Sequence, residues 1–460
     1  MIRQASLTRA ACTKRNNFRT QLADKIAATT HPPQTLSPPL KRQLMQTQLA
    51  PQYQGTADGQ AAEAILRKCV HCGFCTATCP TYQLLGDELD GPRGRIYLMK
   101  QVLEGTTPTR KTQLHLDRCL TCRNCESTCP SGVQYGHLLE IGRKLVDAQV
   151  PRPATERALR WALKEGLPSP AFAPAMALGQ LLRPLLPHAL QNKVPAKQDA
   201  GITPTRKHSR KVLVLEGCVQ PSMSPNINSA TARVLDAAGI QCVVAAKAGC
   251  CGAVKFHLND QDGGKAEMRA NVDAWWPELE RGVEAIVINA SGCGATVKDY
   301  GHILRDDPHY AARAKRVSEL TMDLSEWLPE LAAKLKDKVS ANARRIAFHP
   351  PCSLQHGMQL RGGVEKYMAE LGFNVKTTGC EAHLCCGSAG TYSVLNPKIS
   401  YQLRDRKLGN LATTFGDQPP DEIVSANIGC ITHLQSGTAT KVRHWIEVLD
   451  EALQINHSLA

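Results

Sequence analysis

The sequence predicts a multidomain protein that combines an α-helical region with an α/β region. The first observation is a cysteine run, C-x₂-C-x₂-C-x₃-C-P, which occurs at 69–80 and again at 119–130 among segments with helical apolar spacing. The second is an alternation of strands, helices and a Cys-Cys-Gly triplet that begins near residue 211 and repeats after about 135 residues. We therefore expect a helical cysteine-bearing domain followed by two tandem α/β modules of similar size, each with its own core.

The two cysteine runs have the spacing that bacterial two-cluster ferredoxins use to bind [4Fe–4S] clusters. Three thiolates two residues apart wrap one cluster through a tight turn, and the fourth cysteine, followed by a helix-starting proline, reaches the other cluster. Zinc knuckles would leave the third and fourth cysteines unused, and disulfide frameworks belong to small secreted chains. The sequence thus predicts a helical two-[4Fe–4S] ferredoxin-type domain, with cluster one on Cys69, Cys72, Cys75 and Cys129 and cluster two on Cys119, Cys122, Cys125 and Cys79.

Length and composition bound the other possibilities. A chain of 460 residues is long enough for two or three domains, and its 19 cysteines lie in groups, as expected of reduced thiols that bind metal. No apolar stretch is long enough to span a membrane, and the N-terminus lacks the apolar core of a secretory signal. Half of the net charge of +14 comes from residues 1–44, so the charge does not predict a nucleic-acid partner. The remaining basic surface suits an acidic partner or anionic lipid.

Composition also suggests domain boundaries. Residues 1–55 are rich in Thr, Gln and Pro, so we expect a disordered leader, with Met45 as an alternative start. The ferredoxin-type domain is placed at 56–150, a helical connector and linker at 151–210, and the two modules at 211–340 and 341–455. Within the connector, 168–190 is apolar and broken by prolines. We expect it to pack on the core of the chain, with a membrane-surface or partner-docking hairpin as the alternative.

Each α/β module places one cysteine after a strand, a Cys-Cys-Gly some thirty residues later, and another cysteine after a later strand. Ligands bind at the carboxyl ends of parallel strands, and Gly252 and Gly387 allow a sharp turn beside the paired cysteines. Buried structural cysteine is the alternative, but a repeated vicinal pair favours a metal or cluster, and thiolates suit iron and zinc alike. The predicted metal ligands are Cys218, Cys250, Cys251 and Cys293 in the first module and Cys352, Cys385, Cys386 and Cys430 in the second.

This combination of motifs resembles the iron–sulfur subunits of the heterodisulfide-reductase-like Cys-Cys-Gly family. Segments such as CVHCGFCTATCP, AGCCGAV and HLCCGSAGTYS are most similar to its glycolate oxidase iron–sulfur subunits, and the likeness covers about 45–455. The resemblance implies partner subunits that carry FAD and oxidise glycolate to glyoxylate. It also implies a membrane electron acceptor such as the quinone pool, and a peripheral position on the cytoplasmic face of the inner membrane. An equivalent subunit of a lactate or glycerol-3-phosphate dehydrogenase complex is the alternative.

The sequence departs from the family in one respect. Full Cys-Cys-Gly modules end in C-x₂-C, whereas Thr296 and His433 stand at the last position here, and His433 is either a further ligand or a capping or core residue. The chain has no G-x-G-x-x-G fingerprint and no P-loop, so we assign no catalytic residue and place the FAD only on a partner. We expect an electron-transfer subunit of an oxidoreductase, not catalytic alone.

Overall fold

The computed structural model describes residues 45–187, 191 and 194–457, with side chains described as far as 453. Most of the predicted leader, 1–44, lies outside the described residues. Its last part, 45–55, packs on the helical domain. Buried Ala50 donates its N–H to the carbonyl of Leu103 at 2.9 Å, and Met45 and Leu49 contact the same apolar cluster. For 45–55 the expectation of disorder is wrong, because a few apolar side chains find a surface that local composition does not reveal.

The helical domain consists of short helices on either side of the cysteine runs. Pro80 and Pro92 occupy the first positions of their helices, where a missing N–H leaves no bond unmade. Thr109 opens another helix with a capping box. The two longest helices described in this domain, Pro92–Leu103 and Tyr135–Gln149, pack closely where Gly142 makes room for Met99. The helices are α1 (Ala57–Leu66), α2 (Phe74–Ala77), α3 (Pro80–Leu85), α4 (Pro92–Leu103), α5 (Arg110–Asp117), α6 (Asn124–Thr128) and α7 (Tyr135–Gln149).

The connector forms two helices, α8 (Ala154–Gly166) and α9 (Phe172–Leu181), and neither has a buried residue. Leu181 and Leu185 are 75% and 82% exposed, and Trp161 is 63% exposed. The expectation that this apolar stretch packs on the core is therefore wrong, because the two sheets are already covered by their own helices. Within the described ranges, no helix is long and apolar enough to cross a bilayer.

From Arg210 onward the chain forms two four-stranded sheets with the same topology. Their strand orders are β2-β1-β3-β4 and β6-β5-β7-β8, and every pairing is parallel. The short strands are mostly buried, as expected of parallel sheets with helices on both faces. The first module contains β1 (Arg210–Val214), α10 (Gln220–Met223), α11 (Asn226–Ala237), β2 (Ile240–Val243), α12 (Ala253–His257), α13 (Gln261–Glu280), β3 (Ile286–Ile288), α14 (Ser291–Lys298), α15 (Tyr300–Ile303), α16 (Ala311–Leu320), β4 (Thr321–Asp323) and α17 (Leu328–Leu335).

The second module repeats this order with fewer helices. A π-helical turn, Ser353–Gly357, follows its first strand. The module contains β5 (Ile346–His349), α18 (Gly363–Glu370), β6 (Val375–Thr377), α19 (Tyr392–Leu395), α20 (Pro397–Ala412), β7 (Glu422–Ser425), α21 (Ile428–Gln435), β8 (Lys441–His444) and α22 (Trp445–His457).

The two modules share a core, so the expectation of one core each is wrong. A single apolar cluster runs through both sheets and includes α11, α17 and α22. Helix α22 follows the second sheet in sequence but packs on α11 of the first, where Arg233 and Asp450 form an ion pair at 2.7 Å. A second cluster, with Trp275 and Tyr300, covers the other face of the first sheet. The predicted fold class, α plus α/β in several domains, is confirmed, and the domain boundaries stay a prediction.

Candidate iron–sulfur and double-cysteine sites

Each cysteine run of the helical domain alternates ordinary and left-handed backbone. His71 and Gly73 have φ of 52° and 82°, and the corresponding Thr121 and Arg123 have 54° and 58°. The left-handed residues turn the chain so tightly that thiols two residues apart come to the same side. For a residue other than glycine this conformation costs roughly 1–2 kcal/mol. An ion pair between Arg123 and Asp299 of the first module, at 3.0 Å, helps to hold Arg123 in this conformation.

The structure brings the eight thiols together in two crossed groups. Cluster set one consists of Cys69, Cys72, Cys75 and Cys129, and cluster set two of Cys119, Cys122, Cys125 and Cys79. Burial and, after it, the neighbouring thiols of its set raise the pKa of Cys75 to about 11. Burial also raises the pKa of Cys122 and Cys125 well above the ordinary value. The grouping agrees with the predicted exchange of the fourth cysteine, and cluster binding to these sets stays a prediction.

The two sets differ in exposure. In set one, Cys72 is exposed and Phe74 beside it is 60% exposed, and the set lines a cavity together with Arg93. In set two, Cys79, Cys119 and Cys125 are buried. Set one therefore faces the surface of the described chain, and set two lies inside.

The surroundings of set two fit a negatively charged cluster. The backbone N–H of Thr121 and the hydroxyl of Tyr135 donate to Cys119 Sγ at 3.4 and 3.6 Å. The guanidinium of Arg95, only 1% exposed, lies within electrostatic range of Cys119 and Cys79. Buried thiolates need such donors and a cation, because charge inside a protein is otherwise strongly disfavoured. From the sequence, Arg95 is a candidate donor to cluster sulfurs, with surface placement as the favoured expectation. For Arg95 the expectation of surface placement is wrong, because its spacing from Met99 places both on the buried face of α4.

The first double-cysteine site lies at the carboxyl edge of its sheet, as predicted. Cys218 hydrogen-bonds Cys250, Cys250 contacts Cys251, and Cys251 contacts Cys293. Gly252 has φ of 85°, and a Cβ there would lie 2.7 Å from the carbonyl oxygen of Gly264. The site follows β1, β2 and β3, where the strand order reverses and α/β sheets bind their ligands.

A carboxylic acid faces this first site. The Glu267 side chain, from α13, lies beside Cys250, and its Oε1 is 3.2 Å from Lys255 Nζ. Burial and the neighbouring Cys250 raise the pKa of Glu267 to about 7. The hydrogen bonds from Cys218 and Cys251 lower the pKa of Cys250, which makes it the most acidic thiol of the site.

The second double-cysteine site has the same arrangement after β5, β6 and β7. Cys352, Cys385, Cys386 and Cys430 form a continuous chain of contacts. Gly387, with φ of 91°, donates its N–H to Cys385 Sγ at 3.3 Å. An amino group faces this site, and burial lowers its pKa. Lys407, from α20, is 2% exposed and donates to the carbonyl of Glu381 at 2.7 Å, and its charge acts on Cys352, Cys385 and Cys386.

The second site is in contact with cluster set two. Cys122 belongs to the same apolar cluster as Cys352 and Cys385, and their ionisation is mutually coupled. The hydroxyl of Tyr392 donates to the carbonyl of Arg118 at 3.0 Å, which holds the two domains together there. The cysteines of the first site instead belong to the cluster around Trp275.

Two histidines lie near the second site, and the structure separates their roles. Nε2 of His433 lies 3.1 Å from Ser400 Oγ, and Ser400 donates to the carbonyl of Gly387 at 2.7 Å, so His433 supports the Cys-Cys-Gly turn. A ring nitrogen of His349, however, lies within 4.8 Å of Cys386 Sγ and Cys430 Sγ. Sequence reasoning missed His349, although a histidine three residues before the strand-end Cys352 was a usable signal.

Comparison with known proteins identifies two kinds of domain along the chain. Residues 65–133 match a 4Fe-4S dicluster domain, and residues 212–298 and 346–435 each match a cysteine-rich domain. Together with the fold, these matches define an iron–sulfur protein of the electron-transfer class.

Full-length relatives identify the family. The glycolate oxidase iron-sulfur subunit of Escherichia coli K12 is 55% identical over 412 residues, which cover 89% of this chain and 100% of that protein. The probable glycolate oxidase iron-sulfur subunit of Bacillus subtilis 168 is 31% identical over 427 residues, 85% of this chain and 94% of that protein. Lactate utilization protein A of Bacillus cytotoxicus is 25% identical over 249 residues, 52% of this chain and 98% of that protein. The chain belongs to the family of glycolate oxidase iron–sulfur subunits, as the sequence predicts.

Proposed function

We propose that this chain is the electron-transfer subunit of a complex that oxidises glycolate to glyoxylate. Its electrons would come from FAD on partner subunits and leave to the quinone pool of the membrane. The observation that carries the proposal is the crossed grouping of eight thiols into two sets, in a chain of this family. Oxidation of glycolate releases two electrons and two protons, and a flavin accepts both. A bound [4Fe–4S] cluster supplies transfer of one electron at a time.

The residues of the chain hold and tune these groups. The thiolates of sets one and two bind the clusters, and the dipoles and the cation at set two stabilise their charge. The exposed position of Cys72 and Phe74 makes set one the natural face toward a flavin subunit. The contact of Cys122 with Cys352 and Cys385 supports the second double-cysteine site as the neighbouring metal site.

The test is glycolate-dependent dye reduction in cell extracts with and without this chain, with lactate and glycerol 3-phosphate as parallel substrates. In the assembled complex, Cys72→Ala should lower acceptor-linked turnover at least 100-fold, because a ligand of set one is lost. Reduction of the partner flavin by glycolate should survive. The matched control is Cys242→Ala, since Cys242 is a thiol of β2 outside the four cysteine groups.

Two results would contradict the proposal. Loss of flavin reduction together with turnover, in an assembled Cys72→Ala complex, would show that this chain takes part in substrate oxidation. Loss of lactate or glycerol 3-phosphate activity with intact glycolate activity would keep the electron-transfer role and replace the substrate.

We propose further that the connector places the complex on the membrane surface. Trp161, Leu181 and Leu185 present apolar side chains to solvent, and residues 168–187 carry one basic residue, Arg183, and no acidic one. An apolar face without negative charge suits the interface of an anionic bilayer.

The test is sedimentation of the purified chain with vesicles that contain phosphatidylglycerol. The double variant Leu181→Gln, Leu185→Gln should bind at least tenfold more weakly, because each buried CH₂ contributes about 0.8 kcal/mol. The control is Ile202→Gln, an 85% exposed apolar residue of the linker. Equal binding by both variants would place the membrane contact elsewhere.

A further inference from the structure

His349 is a buried histidine at the end of the first strand of the second module. It ends β5, is 0% exposed, and neither ring nitrogen has a hydrogen-bond partner within the part of the chain that the structure describes. A buried polar group without a partner costs roughly 1–3 kcal/mol. A buried imidazole of this kind is expected to interact with a bound ligand.

The ring points at the second double-cysteine site. One of its nitrogens and the sulfurs of Cys386 and Cys430 all lie within 4.8 Å of one another. The strand backbone holds the residue in register, since Ser425 Oγ donates to the carbonyl of His349 at 2.9 Å.

In the first module, an apolar residue occupies the position that corresponds to His349. Leu215 stands three residues before Cys218, as His349 stands three residues before Cys352. Leu215 is 3% exposed and is an ordinary member of the apolar cluster. The fold therefore accepts an apolar side chain here, so packing alone does not require histidine.

We propose that His349 is a fifth protein ligand of the second double-cysteine site, which binds an iron–sulfur cluster through one imidazole and the thiolates of Cys352, Cys385, Cys386 and Cys430. The inference rests on the proposed function, and it names the group bound at this site. A single zinc ion takes four ligands in a tetrahedron. Five donors, of which Cys352 and Cys385 lie at one end and His349 at the other, suit a group with more than one metal ion.

The experiment uses the full chain isolated anaerobically, with iron content and pulsed electron paramagnetic resonance as readouts. The two ferredoxin-type sets contain only thiolate ligands, so a strong coupling to directly bonded nitrogen reports on the second site. The unchanged chain should show this coupling, and labelling of histidine with ¹⁵N should alter it. His349→Leu, which copies the first module, should lose the coupling and the iron of this site.

Two further variants keep the test decisive if His349→Leu folds poorly. His349→Cys supplies a thiolate in place of the imidazole and should keep the iron while losing the nitrogen coupling. The control His444→Leu changes another fully buried histidine, at the end of β8, and should leave both readouts unchanged.

Unchanged iron and unchanged coupling in folded His349→Leu would overturn the proposal and make His349 a packing residue. Zinc at this site in the unchanged chain would also overturn it. Neither result decides the glycolate experiment, which depends on Cys72, so the two proposals fail separately.

Discussion

The two cysteine-rich modules have the same strand order and the same four cysteine positions, yet their sites differ in charge. Corresponding helices, α13 and α20, cover the two sites. The first presents the carboxyl group of Glu267 to Cys250, and the second presents the ammonium group of Lys407 to Cys352 and its neighbours. Topology thus fixes where the thiols meet, and single residues on the covering helix set the electrostatics of each site.

The modules also differ in their neighbours. The second site contacts cluster set two through Cys122, and the first is embedded in the cluster around Trp275. A buried cation beside thiolates favours their ionised, metal-binding form. Glu267, whose pKa is raised to about 7, repels thiolates only when it is ionised. Both modules contact the helical domain, the first through the ion pair between Asp299 and Arg123. In the described chain it is the second module whose site cysteines share an apolar cluster with a cysteine of set two.

The largest effect on the difference between the two sites is expected from replacing the charged residues that face them, Lys407 and Glu267. Lys407→Met should lower the metal affinity of the second site by about 10–100-fold, the usual effect of removing a residue that supports metal ligands. Above pH 7, where Glu267 is ionised, Glu267→Gln should raise the metal affinity of the first site by up to about tenfold, since the ionised carboxylate repels thiolates. Metal transfer to a chelator, followed in time, measures both.

Lys407→Arg is the matched control for the first change, because it keeps a cation and should retain most of the affinity. A decrease of affinity in Glu267→Gln would mean that Glu267 is itself a ligand. Equal metal loss from both sites in Lys407→Met would remove the proposed distinction between them.

A smaller effect is expected from two capping residues in corresponding places. Asp323 ends β4 and accepts from the N–H of Ser325 at 2.9 Å, and His444 ends β8 and accepts from the N–H of Ile446 at 3.1 Å. Burial raises the pKa of Asp323 to about 6 and lowers that of His444 to about 3, so both are held toward the neutral form.

The two residues give opposite pH dependence. For Asp323 the folded protein holds its proton more tightly, so its contribution to the free energy of unfolding falls as pH rises from about 4 through 6. For His444 the unfolded chain binds the proton first, so its contribution falls as pH drops from 6.5 toward 3. Between pH 5 and pH 8, the contribution of each residue to the free energy of unfolding changes by about 1–2 kcal/mol.

Urea unfolding at pH 5 and pH 8 measures these contributions. The free energy of unfolding of Asp323→Asn, relative to that of the unchanged chain, should be higher at pH 8 than at pH 5. For His444→Asn the relative free energy of unfolding should be higher at pH 5 than at pH 8. Parallel profiles for the two variants would show that burial does not control these groups in the way described.

Local pattern was enough to predict how the thiols of each run are grouped. The spacing within each run dictates which thiols lie side by side, because a few φ values at His71, Gly73, Thr121 and Arg123 decide it. The recurrence of the Cys-Cys-Gly triplet likewise predicted two modules, because strand ends of a parallel sheet lie along one edge.

What the sequence alone determined was the set of thiols and the class of fold that collects them. Only the tertiary structure decided that the modules share one core, that Leu181 and Leu185 lie on the surface, and that His349 and Lys407 face the second site. These features join residues distant in sequence through packing of several helices and strands. Such packing depends on which surfaces other helices already cover, and the spacing of residues along the sequence does not contain that information.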